Sequence, residues 1–127
     1  RVILLSVVFA ALAVVLSPRP GSAQVPMRTY DATLKQMLDA IQSKSYDRFV
    51  ADGDASFKTG YTQKMFEDLA GLLGQKLQNG HRISFLTTLN QQDFVVYVWK
   101  LILKGVRDEY LVSLFVREGN VIGFSIR

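Results

Sequence analysis

The spacing of apolar residues changes after residue 80. In residues 29–43, and again in a segment that begins near Thr62, apolar side chains recur every three or four positions, the period of an amphipathic helix. A shorter helical piece is predicted at residues 46–50, and Gln78-Asn79-Gly80 ends the last helix. The residues predicted to face the core are Leu34, Met37, Leu38 and Ile41 in the first helix, and Met65, Phe66, Leu69, Leu72, Leu73 and Leu77 in the third.

From residue 81 onward, four runs rich in β-branched and aromatic residues have the two-residue period of strands. The connections between them are short, with glycine and asparagine at the turns, so consecutive strands are expected to pair antiparallel. The sequence therefore predicts an α+β fold in which N-terminal helices pack on a curved four-stranded antiparallel meander sheet. The predicted strands are residues 81–89, 93–104, 109–117 and 121–127.

Alternate side chains of a strand point to opposite faces of the sheet. Apart from Asp93 at the first position of the second strand, one of these faces carries no charge along the last three strands, which predicts that it lies beneath the helices. Its members are Ile83, Phe85 and Leu89 in the first strand, Val95, Tyr97, Trp99, Leu101 and Leu103 in the second, Tyr110, Val112, Leu114 and Val116 in the third, and Ile122, Phe124 and Ile126 in the fourth.

The opposite, outer face mixes charged residues such as Lys100 and Glu109 with many apolar ones. A sheet with a second face this apolar is expected to be covered or paired, and symmetric dimers are the commonest solution. Gly123 is expected to lie opposite Phe115, where the ring would cover bare backbone. We therefore predict a homodimer through Val96, Val98, Ile102, Leu111 and Phe115.

Residues 1–23 have the composition of a secretory signal peptide. A basic residue precedes an apolar run, and the small residues Gly21 and Ala23 occupy the −3 and −1 positions of a cleavage site. The run is shorter than the roughly 20 residues of a membrane-spanning helix. We expect cleavage after Ala23 and export to the periplasm or the exterior, with an uncleaved membrane anchor as the alternative. Residues 24–29 are then a short lead-in, and residues 30–127 form a single domain.

Charge and composition exclude several classes of function. The chain has 15 Lys and Arg against 11 Asp and Glu, and removing Arg1 and Arg19 leaves 13 − 11 = +2 for the mature protein. This excess is too small to predict a nucleic-acid partner. Without cysteine there is no disulfide and no thiolate metal site. The sequence also lacks a glycine-rich phosphate loop, a nucleophile elbow and a metal-ligand motif, so neither a metal nor another cofactor is predicted.

Some segments indicate a family. They are Ser45-Tyr46-Asp47-Arg48-Phe49, Phe57 ahead of the third helix, and the terminal residues 119–127. With the order of helices and strands, they resemble the nuclear-transport-factor-two-like superfamily, a cone-shaped, cystatin-like fold that also houses ketosteroid isomerase. Within it, residues 30–127 are most similar to small exported bacterial domains of unknown function. The resemblance implies a sheet that curls around the helices and leaves a conical pocket, and it implies pairing through the outer face, as in many members.

Aromatic residues on the helix-facing side are the predicted pocket lining, because their rings bury a ligand while their polar tips orient it. Packing in the core is the alternative role for the same residues. We expect an exported, non-catalytic module that binds a small apolar or amphipathic ligand or a partner protein. The alternatives are an isomerase or hydrolase with a pocket carboxylate, and a structural dimer with a filled cone. The predicted lining is Tyr97, Trp99, Tyr110 and Phe124 from the sheet, and Leu38 and Phe66 from the helices.

His81, Asp93 and Asp108 share the pocket-side parity but stand at the starts of predicted strands. His81 and Asp108 are two strands apart, about 10 Å at the usual interstrand spacing. That separation exceeds the hydrogen-bond reach that a base and its orienting carboxylate need. None of the three is therefore predicted to be catalytic.

Overall fold

The computed structural model describes residues 25–127, with side chains from Tyr30 onward, so the predicted signal peptide lies outside the described residues. The predicted α+β fold with a four-stranded antiparallel meander is confirmed, with sheet order β1-β2-β3-β4. The sheet is not strongly curled. The elements are α1 (Val25–Ser43), α2 (Tyr46–Phe49), α3 (Ala55–Gly60), α4 (Gln63–Gln78), β1 (His81–Asn90), β2 (Val95–Leu103), β3 (Tyr110–Arg117) and β4 (Asn120–Ile126).

Side-chain caps fix the starts of the shorter helices and of α4. The Thr62 hydroxyl accepts a hydrogen bond from the Met65 backbone N–H at 3.2 Å, which confirms the predicted start of the last helix. Asp54 accepts from the Phe57 N–H at 2.9 Å and begins α3, a six-residue helix that the sequence did not predict. The Phe57 N–H and the Ser56 hydroxyl hold the pKa of Asp54 below its ordinary value.

The helices pack on each other and on one face of the sheet, and their shared core is aromatic at its centre. The ring of Phe49 lies 5.0 Å from that of Phe66, 5.1 Å from Tyr61 and 5.3 Å from Phe124, measured between centroids. The buried stripe of α4 is narrower than predicted. It consists of Phe66, Ala70, Leu73, Gly74 and Leu77, whereas Met65 and Leu72, which were predicted to face inward, are 46% and 76% exposed.

A β-bulge changes the face assignment in β1. Phe85 pairs with Trp99 but Thr87 pairs with Val98, so Leu86 is an extra residue. Beyond a bulge the side-chain alternation shifts by one position. Leu89 accordingly pairs with Val96 on the outer face, and the prediction that it lies beneath the helices is wrong.

A second bulge lies in β4. Phe115 pairs with Gly123 and Val116 pairs with Val121, which leaves Ile122 as the extra residue. Val121 is buried opposite Val116 and takes the inward position that the sequence analysis gave to Ile122. The pairing of Phe115 with Gly123 confirms the predicted contact between the ring and the bare backbone.

The contact between Phe115 and Gly123 predicts a loss of stability in Gly123→Ala. An added Cβ would lie 3.1 Å from Phe115 Cδ1 and 3.3 Å from Phe115 Cβ, and the latter atom is fixed by its strand. We expect overpacking to lower the free energy of unfolding by about 1 kcal/mol in urea denaturation. Gly71→Ala is the matched control, since no atom lies within 4 Å of its added Cβ. In Gly71→Ala the higher helix propensity of alanine should raise the free energy of unfolding by about 0.5–1 kcal/mol. Equal effects of the two variants would contradict the predicted overpacking of Gly123→Ala against Phe115.

A candidate ligand-binding cleft between α1 and β1

The helices cover the first strand of the sheet only partly. No residue of β1 is buried, whereas β2 alternates between buried and half-buried positions. A cleft of about 440 Å³ lies in the uncovered region, between α1 on one side and β1 on the other. The apolar residues that line the cleft are Leu38, Ile83, Phe85 and Trp99. The ionisable residues that line it are Asp31, Lys35, Asp39, His81 and Arg82.

The periods of the two elements bring these side chains together except for that of Arg82, which alternates to the outer face opposite Ile102. Residues 31, 35, 38 and 39 are spaced by three and four positions, so they share one side of α1. His81, Ile83 and Phe85 alternate along β1 and therefore point to the same face of the sheet. Phe85 pairs with Trp99 of β2, which brings the indole to the base of the cleft.

A hydrogen bond between Trp99 and Asp31 joins the sheet to α1. Trp99 is fully buried, and its Nε1–H donates to Asp31 Oδ1 at 2.7 Å. Bonds of an N–H to a carboxylate are stronger than those between neutral groups. Because α1 begins at Val25, Asp31 lies within the helix, where its side chain is the acceptor for the indole.

Other aromatic rings hold the indole in place. The ring of Phe85 meets it edge-on at a centroid distance of 5.8 Å, and Tyr97 stacks near it at 6.3 Å. Tyr30 lies 4.6 Å from Tyr97. Burial, and to a smaller degree the neighbouring Tyr30, raise the pKa of Tyr97, so its hydroxyl stays protonated under conditions where an exposed tyrosine begins to ionise.

The six residues predicted to line a pocket do not share one cavity. Leu38 and Trp99 line the α1–β1 cleft. Phe66 lines a cavity of about 350 Å³ at α4 and α2, and Tyr110 lines another of about 250 Å³ beside α4. Tyr97 and Phe124 pack within or against the core.

His81 is the one member of the three ionisable candidates that lies in the cleft. Its Nδ1 is 2.9 Å from the Leu77 carbonyl oxygen, which can only accept, so Nδ1 carries a proton and Nε2 is left for other partners. Asp93 and Asp108 are exposed in the loops before β2 and β3. Asp31, Lys35, Asp39 and Arg82 were not predicted from the sequence to line a pocket, although the first three are spaced by four positions on one side of a helix.

Two further properties of the described residues bear on function. Within residues 25–127, no three His, Asp or Glu side chains come together in a way that could hold a metal ion. No helix in the same range is long and apolar enough to cross a membrane.

In comparisons with known proteins, no family model and no curated protein matches the chain. The described residues form an α+β domain with an open cleft at the edge of its sheet.

The bond between Trp99 and Asp31 predicts that Asp31→Ala lowers the free energy of unfolding by about 1.5–3 kcal/mol, because a buried N–H loses its charged acceptor. Asp31→Asn keeps an oxygen that can accept the indole N–H, so its free energy of unfolding should fall by less than that of Asp31→Ala. Urea denaturation measures the loss, and the indole N–H resonance of the single tryptophan shows whether the bond has changed. If Asp31→Ala had wild-type stability and an unshifted resonance, the proposed role of the bond would be wrong.

Proposed function

We propose that this protein is an exported, non-catalytic binding module whose α1–β1 cleft takes up a small amphipathic ligand. The observation that carries the proposal is the composition of the cleft, in which aromatic and aliphatic side chains lie beside charged side chains of both signs. Ligand sites in proteins combine these features, and a volume of about 440 Å³ is within their usual range. Because α1 and the aromatic neighbours fix the indole, the apolar base of the cleft is already formed without a ligand.

The state of the two carboxylates favours binding over catalysis. Asp31 accepts the indole N–H of Trp99 at 2.7 Å, and Asp39 accepts the side-chain amide of Gln42 at 3.5 Å. A general base needs a carboxylate within reach of a substrate proton. Asp31 is held against the buried indole at 2.7 Å, and this structural role of one of the two carboxylates agrees with the non-catalytic proposal.

Export and family membership are parts of the same proposal. The signal-like residues 1–23 support export to the periplasm or the exterior. The order of helices followed by an antiparallel meander supports placing the domain in the nuclear-transport-factor-two-like superfamily. The cleft at the edge of the sheet takes the place of the enclosed conical pocket that the resemblance implies.

Binding in the cleft can be tested with 2-naphthaleneacetamide, a small neutral amphipathic probe. We expect it to shift the indole N–H resonance of Trp99, and we expect Phe85→Ala to weaken its binding about tenfold, equivalent to ~1.4 kcal/mol. Leu72→Ala, an exposed leucine on α4, is the control and should bind like the wild type. Resonance shifts confined to residues outside the cleft, or equal affinities in the two variants, would contradict the proposal.

We also propose that a second copy of the chain covers the outer face of the sheet. Leu89, Val96 and Phe115 form one row across three paired strands, and Phe94 lies 6.0 Å from Phe115 between ring centroids. Val96 is only 6% exposed, although it is not part of the core cluster beneath the helices. Leu89 and Leu111 remain 49% and 43% exposed on this face, which leaves apolar surface for a symmetric partner.

Phe115→Lys should weaken the dimer at least tenfold in sedimentation equilibrium, since the interface would have to bury a lysine ammonium group. Leu72→Lys introduces the same charge at an exposed leucine on the helical side and should leave self-association unchanged. Circular dichroism establishes that both variants are folded. A wild-type monomer at micromolar concentration, or equal behaviour of the two variants, would refute the dimer.

A further inference from the structure

A second cavity lies on the outer face of the sheet, at the corner where β1 begins and β2 ends. It has a volume of about 270 Å³ and is lined by Gly80, His81, Arg82, Ile102 and Lys104, none of which is acidic. Arg82 lies opposite Ile102, and the Lys104 backbone N–H donates to the Gly80 carbonyl oxygen at 2.8 Å. The two cations are therefore diagonal neighbours on one face of adjacent strands.

The stem of Lys104 is held against the backbone of Gly80. A Cβ on Gly80 would lie 3.2 Å from Lys104 Cδ and 3.3 Å from Lys104 Cβ, so only glycine leaves room for the stem. Gly80 also has a φ of +125°, a conformation that favours glycine. The lysine stem thus lies over the start of β1, the strand that carries Arg82.

The positive charges of this corner have too few counter-charges. Lys100 and Lys104 flank the residue opposite Arg82 on the same face, so three cations are neighbours. Lys100 pairs with Glu109 at 3.4 Å, whereas Arg82 and Lys104 have no carboxylate within ion-pair distance among the described residues. Residues 1–29 contain no acidic residue that could pair with them. Like charges at neighbouring positions of a sheet repel, and an anion bound between these two cations would offset that repulsion.

We infer that this corner of the outer face binds a phosphate group, as free phosphate or as the phosphomonoester of a larger molecule. A phosphomonoester carries about 1.5–2 negative charges at pH 7, which matches two unpaired cations. Its oxygens point in different directions, so the guanidinium of Arg82 can bind two of them while the ammonium of Lys104 binds a third. A carboxylate has only two oxygens, and a side-on pair with the guanidinium engages both.

The site is separate from the α1–β1 cleft and from the proposed dimer contact. Arg82 alternates to the face opposite that of Ile83 and Phe85, which line the cleft. The apolar row that contains Leu89 crosses β1 seven positions further along, roughly 20 Å away at the usual rise per residue. A phosphate in the corner therefore contacts neither the aromatic base of the cleft nor that row.

An NMR titration of the isotope-labelled protein with inorganic phosphate tests the site, with acetate at the same ionic strength as the comparison anion. We expect phosphate to give saturable amide shifts at Gly80, Arg82 and Lys104, to bind about tenfold more tightly than acetate, and to leave the Trp99 indole resonance unshifted. Arg82→Gln and Lys104→Gln should each weaken phosphate binding about tenfold. Lys35→Gln removes the same charge from the α1–β1 cleft and should bind phosphate like the wild type.

Three results would overturn the inference: the absence of saturable shifts, equal affinities for phosphate and acetate, or an equal loss of affinity in Lys35→Gln and Arg82→Gln. The last two describe attraction to net charge rather than a site. Circular dichroism establishes that the variants are folded. Vesicles assign the source of the phosphate group. Co-sedimentation with phosphatidic acid vesicles that inorganic phosphate reverses would support the site with a lipid headgroup as its ligand. Binding of inorganic phosphate without co-sedimentation would support the site with a soluble phosphate compound as its ligand.

Discussion

The buried indole of Trp99 has a single polar atom, and a buried N–H without an acceptor costs about 1–3 kcal/mol. Asp31 supplies that acceptor from 68 positions away in the chain, at 2.7 Å. The bond fixes α1 over β2 at the point where the apolar stripe of α1 also packs. With α1 held there, the inner side of β1 is only partly covered, and Ile83 and Phe85 stay half-buried. The attachment places the charged side of α1 beside the aromatic base of the cleft.

The bulge at Leu86 divides β1 into two parts with different surroundings. Before it, His81, Ile83 and Phe85 point toward the cleft. After it, Leu89 points to the outer face and extends the apolar row there. Bulges often redirect side chains at the edges of sheets, and here one extra residue lets a single strand serve the proposed ligand site and the proposed dimer face. The same irregularity disfavours pairing of this long edge strand with other chains.

The fold could be predicted because each long element has a clear period, and β2 and β3 follow strict alternation. The errors occur where a local feature interrupts the pattern. Each bulge shifts the alternation by one residue, which is why Leu89 was assigned to the wrong face and Ile122 to the inward position that Val121 takes. The cleft could not be predicted because it depends on how far the helices extend across the sheet. Parity shows that Trp99 points inward, but not which acidic residue meets its N–H.

The most direct test of this account is an NMR measurement of the protons that a bound ligand contacts. Isotope-filtered nuclear Overhauser spectra of the protein with 2-naphthaleneacetamide should show contacts from the naphthalene ring to Phe85 and Trp99. Contacts to Phe115 or Leu111 on the outer face, or to Phe66 beneath α4, without any to Trp99, would contradict the claim that the uncovered side of β1 is the binding site.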